Sequence, residues 1–362
     1  MIDPGHEEVE QIIKMMSNDV KTVYNEAAKD IEKKLKDYWR RFNLKDSVKY
    51  AQWKAGEITR QEYDYWRTGQ LMAGKRWEEE LKTIAQDLLN ADMISRSIVL
   101  GYIPDVYAVS YNYGIYQIER LSNMNTSFTL YDRYTVERIF RENPELLPQL
   151  NPYSPMARKI AEGKVLKWEK KQVTNILLQG ILQGESNVGI GGRIRKVTKA
   201  DWKSVIRYAR TMTTGAENAG RIDSYKRAES MGIKLKQQWL ATLDSRTRSS
   251  HRQLDGVAVE VGKKFPNGCK FPGDPEAPAA EIWNCRCTLI PKLTGIPNLE
   301  NDNQHEDLSL RDTSHFEDDD YQAWKNGKVK SDPILKAKEI GERRKAAAIA
   351  DYREAAKRLG VR

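Results

Sequence analysis

Positions 242–256 read TLDSRTRSSHRQLDG, and positions 284–287 read NCRC. The first stretch holds two acids (Asp244, Asp255), three arginines (Arg246, Arg248, Arg252), His251 and a closing Gly256. These residue types can do three kinds of chemistry. His251 with Asp255 could act as a general base and its orienting acid. Cys285 or Cys287 could be a nucleophile beside a histidine. Carboxylates with His251 could hold a metal for phosphodiester cleavage. A fourth option is structural. His251, Cys269, Cys285 and Cys287 could form a His-Cys₃ zinc set.

Spacing decides how these groups meet. The 244–255 stretch reads as a short helix. Asp244, Arg248, His251 and Asp255 then fall within a roughly 60° stripe at about 100° per residue. Asp244 sits where an N-cap belongs, and Gly256 ends the helix. If the CRC segment is extended, Cys285 and Cys287 share one side and Arg286 takes the other. The cysteine spacing departs from the common zinc pairs. Nothing in the sequence supplies an oxyanion hole or a substrate pocket. The preferred reading is therefore reduced, packed cysteines beside a hydrogen-bonded Asp–Arg–His network, with no cofactor.

The surrounding elements are mostly helical. Residues 8–44 form one amphipathic helical pattern. TRQE at 59–62 is a capping box. A second helical pattern runs from about 60 to 100, with Gly101 and Pro104 as its stop. Tyr102, Tyr107, Tyr111, Tyr113, Tyr116, Tyr131 and Tyr134 crowd the next stretch. They read as amphipathic rings packed between helices. NPELLPQLNPYSP at 143–155 marks the main boundary. The glycines of QGESNVGIGGRIRK at 183–196 fit neither phosphate-loop template, so this segment reads as a helix-turn-helix connection capped by Ser186 or Asn187. After Gly232 the pattern changes: KLKQQWLATL, GVAVEV and CTLIP read as strands. The expected fold is α+β and predominantly helical. It has long N-terminal helices, a small unit with a short helix on a few antiparallel strands, and a C-terminal helix.

Of the 362 residues, 60 are Lys or Arg and 51 are Asp or Glu, a net charge of +9. That balance suits a polyanion or an acidic protein surface. No apolar run approaches the ~18–20 residues that span a membrane, and the acidic N-terminus is unlike a secretory signal. Three clustered cysteines are a poor disulfide framework. Residues 334–359 read as a basic helix, where Arg343, Arg344, Lys345, Lys357 and Arg358 are candidates for nucleic-acid contact.

WLATLDSRTRSSHRQLDG, PGDP at 272–275 and NCRCTLIP together resemble the phage Mu protein F-like, or head morphogenesis, family of minor capsid proteins. ARTMTTGAENAGR at 209–221 looks like the helix that precedes the motif in that family. The family's signature falls on Trp239, Asp244, Arg246, Arg248, His251, Leu254, Asp255, Gly256, Asp274, Pro275, Asn284, Cys285, Arg286 and Cys287. Cys269 is not among them. The resemblance implies a structural protein of a tailed phage or prophage, entering the procapsid in few copies and touching the portal, with scaffolding or major capsid protein and double-stranded DNA as further partners. Assembly would begin in the host cytoplasm and end in the virion, at the capsid interior or portal vertex. Some longer relatives carry a toxin domain after the shared unit; the roughly 70 residues that follow it here are too few for one. The expected organisation is a helical partner-binding region over 1–150, the head morphogenesis domain over 151–296, an acidic linker over 297–333 and a basic helix over 334–362. The alternative function is a metal-dependent phage nuclease using His251, Asp255 and the cysteines.

Overall fold

The computed structural model describes residues 4–72, 75–123, 128–142, 171–175, 179, 187–295, 308–309 and 318–328. The proline-marked loop at 143–155 and the basic tail lie outside them. Among the described residues four helices come first: α1 (Pro4–Lys54), α2 (Arg60–Met72), α3 (Lys75–Ser122) and α4 (Arg133–Glu142). Then follow α5 (Asn187–Ser230), β1 (Lys234–Leu240), α6 (Ser249–Gln253), β2 (Ala258–Glu260), α7 (Ala279–Ile282), β3 (Thr288–Gly295), β4 (Leu308–Ser309) and α8 (Asp318–Lys328). The fold is α+β and mostly helical, with one antiparallel sheet in the order β2-β1-β3-β4. No helix among the described residues is long and apolar enough to cross a membrane.

Local chemistry explains the boundaries. Glu62 accepts the Thr59 backbone N–H at 2.8 Å while the Thr59 hydroxyl accepts the Glu62 N–H at 3.2 Å, so the capping box opens α2 as the sequence suggests. Gly101 and Pro104 do not end the second long helix. Pro104 lies inside α3, which continues through most of the tyrosine-rich stretch. Buried Val99, Ile103, Val106 and Tyr107 flank it, and this packing outweighs the one backbone bond that proline removes. Asn187 and Gly189 to Gly192 likewise lie in the first turns of α5 and not in a connection.

The chain divides into two compact units. The second comprises residues 18–97, 152–205 and 349–362. Its described part is helical, with Val20, Val23, Ile31, Leu35, Ile84 and Leu88 buried. A Lys34–Asp87 pair at 2.5 Å ties α1 to α3 within it. The first unit comprises residues 1–17, 98–151 and 206–348, and holds the sheet. Tyr111, Ile115 and Ile118 from α3 and Ile222, Tyr225 and Ala228 from α5 share one core with Leu235, Trp239, Leu289, Ile290 and Leu293 of β1 and β3. Five of the tyrosines pack as expected, with Tyr102, Tyr107, Tyr111, Tyr113 and Tyr116 buried, whereas Tyr134 is exposed and does not.

β1 buries Leu235, Gln237 and Trp239 on one face by its two-residue alternation. Gln237 is polar yet 0% exposed because its amide is satisfied three times: it donates to the carbonyls of Lys263 (2.9 Å) and Lys270 (2.8 Å) and accepts from Gly262 N–H (3.0 Å). One strand residue thus holds the loop that follows β2. The segment read as an acidic linker contains β4 and the helix α8. Tyr321 and Lys325 of α8 are buried, and Lys325 pairs with Glu8 at 2.8 Å. The apolar face formed by Tyr321 and Trp324 against Tyr116 explains why this acidic stretch folds.

Candidate functional site: a histidine–cysteine cluster on a polar helix ladder

The 242–256 stretch folds differently from the single helix that its spacing suggests. Only residues 249–253 are helical. Asp244 lies in the turn before it, where its Oδ1 accepts the Arg246 N–H at 2.9 Å and the Thr247 hydroxyl at 3.1 Å. An aspartate that bonds its own turn competes with helix formation, which is why the four-residue stripe does not form. Asp244 caps no helix; the residue at the cap position is Arg248, which makes no side-chain cap bond. Asp255 follows the helix, and its Oδ1 accepts the Ala241 N–H at 2.9 Å. Gly256, at φ +83°, turns the chain into β2 and donates to the Trp239 carbonyl at 2.8 Å.

The NCRC segment runs beside this turn, and its residues split as a strand requires. Arg286 reaches out to Asp244, Nη1 to Oδ2 and Nη2 to Oδ1, at 2.6 Å each. Cys285 and Cys287 turn inward and are each 2% exposed. The His251 Nδ1 lies 3.6 Å from the Cys285 sulfur and 3.5 Å from the Cys287 sulfur. These three ligand atoms lie within 4.8 Å of one another, a compact group that could hold a metal. Cys269 is not in that group. It is buried in the same core, and burial pushes its thiol up to about 12. The His-Cys₃ set therefore does not assemble.

The acid beside His251 is Glu281 of α7. Its Oε2 lies 3.0 Å from the ring Nε2, close but not aligned as a straight hydrogen bond. The Ser250 hydroxyl donates to the same oxygen at 3.0 Å and the Asn267 amide at 3.3 Å. Burial pushes the Glu281 carboxyl up, but these donors and the neighbouring His251 ring leave it below its ordinary value. Trp239, fully buried, meets the imidazole edge to face with ring centres 5.3 Å apart. Cys285 is pushed up by its contact with Cys287 and by burial, while Cys287 is drawn down by Cys285 and the imidazole.

Helix α5 holds the cysteine strand from behind. Thr211 accepts the Asn284 N–H at 3.2 Å, and Thr214 donates to the Cys285 carbonyl at 2.8 Å. Asn218 donates to the Cys287 carbonyl (3.3 Å) and accepts the Leu289 N–H (2.8 Å). Arg221 donates to the Leu289 carbonyl at 2.8 Å. Spacings of three, four and three put these side chains on one helical face. The ladder lies in ARTMTTGAENAGR, whose contacts the sequence reading did not assign. Its signal is a polar row at helical period inside a buried helix. Glu217 sits beside it, held by the Thr288 hydroxyl (3.0 Å), His6 (3.0 Å) and Arg221 (3.3 Å).

The other signature residues are placed as follows. Asp274, 2% exposed, accepts the backbone N–H groups of Lys270 (2.8 Å) and Glu276 (3.0 Å) and so ties the PGDP loop containing Pro275. Gly273, at φ +79°, packs that loop on Gly215 of α5: a Cβ on Gly273 would meet the Gly215 nitrogen at 2.6 Å. Asn284 takes a left-handed φ of 56°, which asparagine tolerates. Arg248 donates to the Trp283 carbonyl. Arg246 is exposed and lies 3.6 Å from Asp244. Leu254 is buried in the core.

Comparison with known families matches residues 171–290 to the family described as Phage Mu protein F like protein. This stretch is thus similar to that family. It contains α5, the ladder, the turn and the histidine–cysteine cluster. The chain is 29% identical to the NAD(+)--arginine ADP-ribosyltransferase EFV of Enterococcus faecalis over 64% of its own length and 46% of that protein's. It is 27% identical to the Minor head protein GP7 of Bacillus phage SPP1 over 62% of its own length and 71% of that protein's. An uncharacterised Haemophilus influenzae protein is 32% identical over 34% of this chain and 25% of its own. The chain thus spans about half the length of the transferase that it matches. No solved structure matches.

Proposed function

We propose that this chain is a minor head protein of a tailed phage or prophage, built into the procapsid in a few copies at the portal vertex or capsid interior. There it meets the portal protein and packaged double-stranded DNA. The observation that carries this reading is the similarity to the Minor head protein GP7, which extends over 62% of this chain and 71% of that one. The Mu F like region supplies the rigid part. Its polar groups are largely spent on one another, as the ladder, the Asp244–Arg286 fork and the Asp274 loop illustrate. The net charge of +9 and the basic tail suit phosphate neutralisation with counter-ion release. The ADP-ribosyltransferase relative extends well beyond the shared part, so the shared part is read as scaffold.

The competing reading is a metal-dependent nuclease. Its histidine would have to meet substrate, yet His251 is 1% exposed and faces Glu281 and two thiols. Purified protein with plasmid DNA separates the two readings. A salt-sensitive mobility shift without cleavage, unchanged by Mg²⁺, Zn²⁺ or chelator, is expected. Chelator-sensitive cleavage would favour the nuclease. Portal binding is tested by co-purification of the chain with a phage portal protein co-expressed with it, and failure to co-purify would remove that contact.

A further inference from the structure

The geometry points to a zinc site: His251 Nδ1 and the thiolates of Cys285 and Cys287 hold one zinc ion, with water in the fourth position. The ion would staple α6 to the entry of β3. Four observations converge on it, and none depends on the proposed place in a phage head.

The first is distance. Zinc sits about 2.3 Å from thiolate sulfur and about 2.05 Å from imidazole nitrogen. In a tetrahedron the nitrogen–sulfur edge is then about 3.6 Å. The two edges here are 3.6 and 3.5 Å. The second is valence. Nδ1 offers one in-plane lone pair, so it can accept a good hydrogen bond from only one thiol. Two sulfurs converge on that single acceptor, so Nδ1 cannot bond both thiols at once, whereas one cation would meet all three atoms.

The third is tautomer. Glu281 Oε2 stands 3.0 Å from Nε2 and favours the proton there, leaving Nδ1 bare for the metal. A carboxylate behind a ligating histidine is the usual outer-shell support of such a site, and Trp239 at 5.3 Å fixes the ring plane. The fourth is charge. Binding replaces two thiol protons with one divalent cation and releases both protons to solvent. The ion and two thiolates sum to zero, which suits a position where all three ligand residues are at most 2% exposed.

The test uses the purified full chain, stripped with chelator under reducing conditions and reloaded with zinc alone. One zinc per chain is expected to survive dialysis, and X-ray absorption at the zinc edge is expected to show two sulfur neighbours and two lighter ones. Cys269→Ala should keep the full zinc content, whereas Cys285→Ala with Cys287→Ala should lose most of it. Since the double variant can fail by misfolding, the wild-type absorption spectrum stands as the independent readout. No uptake by reduced wild-type chain, or three or more sulfur neighbours, would overturn the assignment. So would equal loss of zinc in Cys269→Ala.

Discussion

Arg286 and Asp244 meet in a two-pronged ion pair, each guanidinium nitrogen 2.6 Å from its own carboxylate oxygen. The pair joins the cysteine strand to the turn that leads into the histidine helix. Fork-to-fork geometry of this kind fixes orientation as well as distance. It gives the two signature stretches a shared function: they hold each other.

The pair should leave a trace in pH dependence. The Arg286 guanidinium beside Asp244 holds its carboxyl well below the usual carboxylate range. A depressed folded-state value stabilises the fold above the unfolded value, near pH 4. That contribution fades as pH falls toward the folded value. Asp244→Asn should therefore lower Tm at pH 7, with a deficit that shrinks on acidification below about pH 4. A deficit constant with pH, followed by calorimetry or circular dichroism, would contradict this account.

The ladder makes a larger claim on stability. Arg221 is fully buried, bonded to the Leu289 carbonyl and to Glu217. Removing one partner of a buried pair costs about 3–5 kcal/mol because the other charge is left uncompensated. Arg221→Met should show a loss of that order in chemical denaturation. Arg221→Lys should recover little, because an ammonium cannot reproduce the planar fork. Full recovery by lysine would show that charge alone suffices.

Two glycines in α5 should respond with opposite signs. Alanine in a helix interior is ordinarily better than glycine by about 0.8–1 kcal/mol. At Gly192 a Cβ meets nothing within 4 Å, so Gly192→Ala should stabilise by up to that amount. At Gly220 a Cβ would lie 2.5 Å from the Tyr107 carbonyl oxygen, so α3 and α5 would have to part. Gly220→Ala should destabilise by about 1–3 kcal/mol. Paired denaturation curves decide it, and equal signs would refute the close approach.

The basic tail tests the DNA part of the proposed function. Each phosphate contact contributes about 0.9 to the slope of log binding against log salt. Arg343→Gln, Arg344→Gln and Lys345→Gln together should reduce that slope by up to about 3. An unchanged slope, measured by fluorescence anisotropy on duplex DNA, would assign the tail to a protein partner.

Much of the fold was legible because its signals are local. The α1 periodicity, the Thr59–Glu62 capping box and the alternation of β1 are each set by neighbours within a few positions. Pro104 misled because its breaking tendency is local, while the packing that overrides it comes from residues distant in sequence. The 244–255 helix misled for the opposite reason: the Asp244 side chain makes a turn that helical spacing cannot reveal. At the candidate site, the pairing of His251 with Cys285 and Cys287 could be read from residue type and strand alternation. Glu281 could not, since nothing in its spacing marks it as the acid that faces the imidazole. The polar ladder from Thr211 to Arg221 was visible as a row of residues, yet its partners are backbone groups of a strand about 70 residues on, which carry no side-chain signature.

The most direct test of the central claim is quantitative mass spectrometry of procapsids and DNA-filled heads purified from cells that carry the gene for this chain. The account predicts a few copies per particle, far fewer than major capsid protein and present in both forms. Absence of the chain from both would contradict it and leave the Mu F like region as the scaffold of some other assembly.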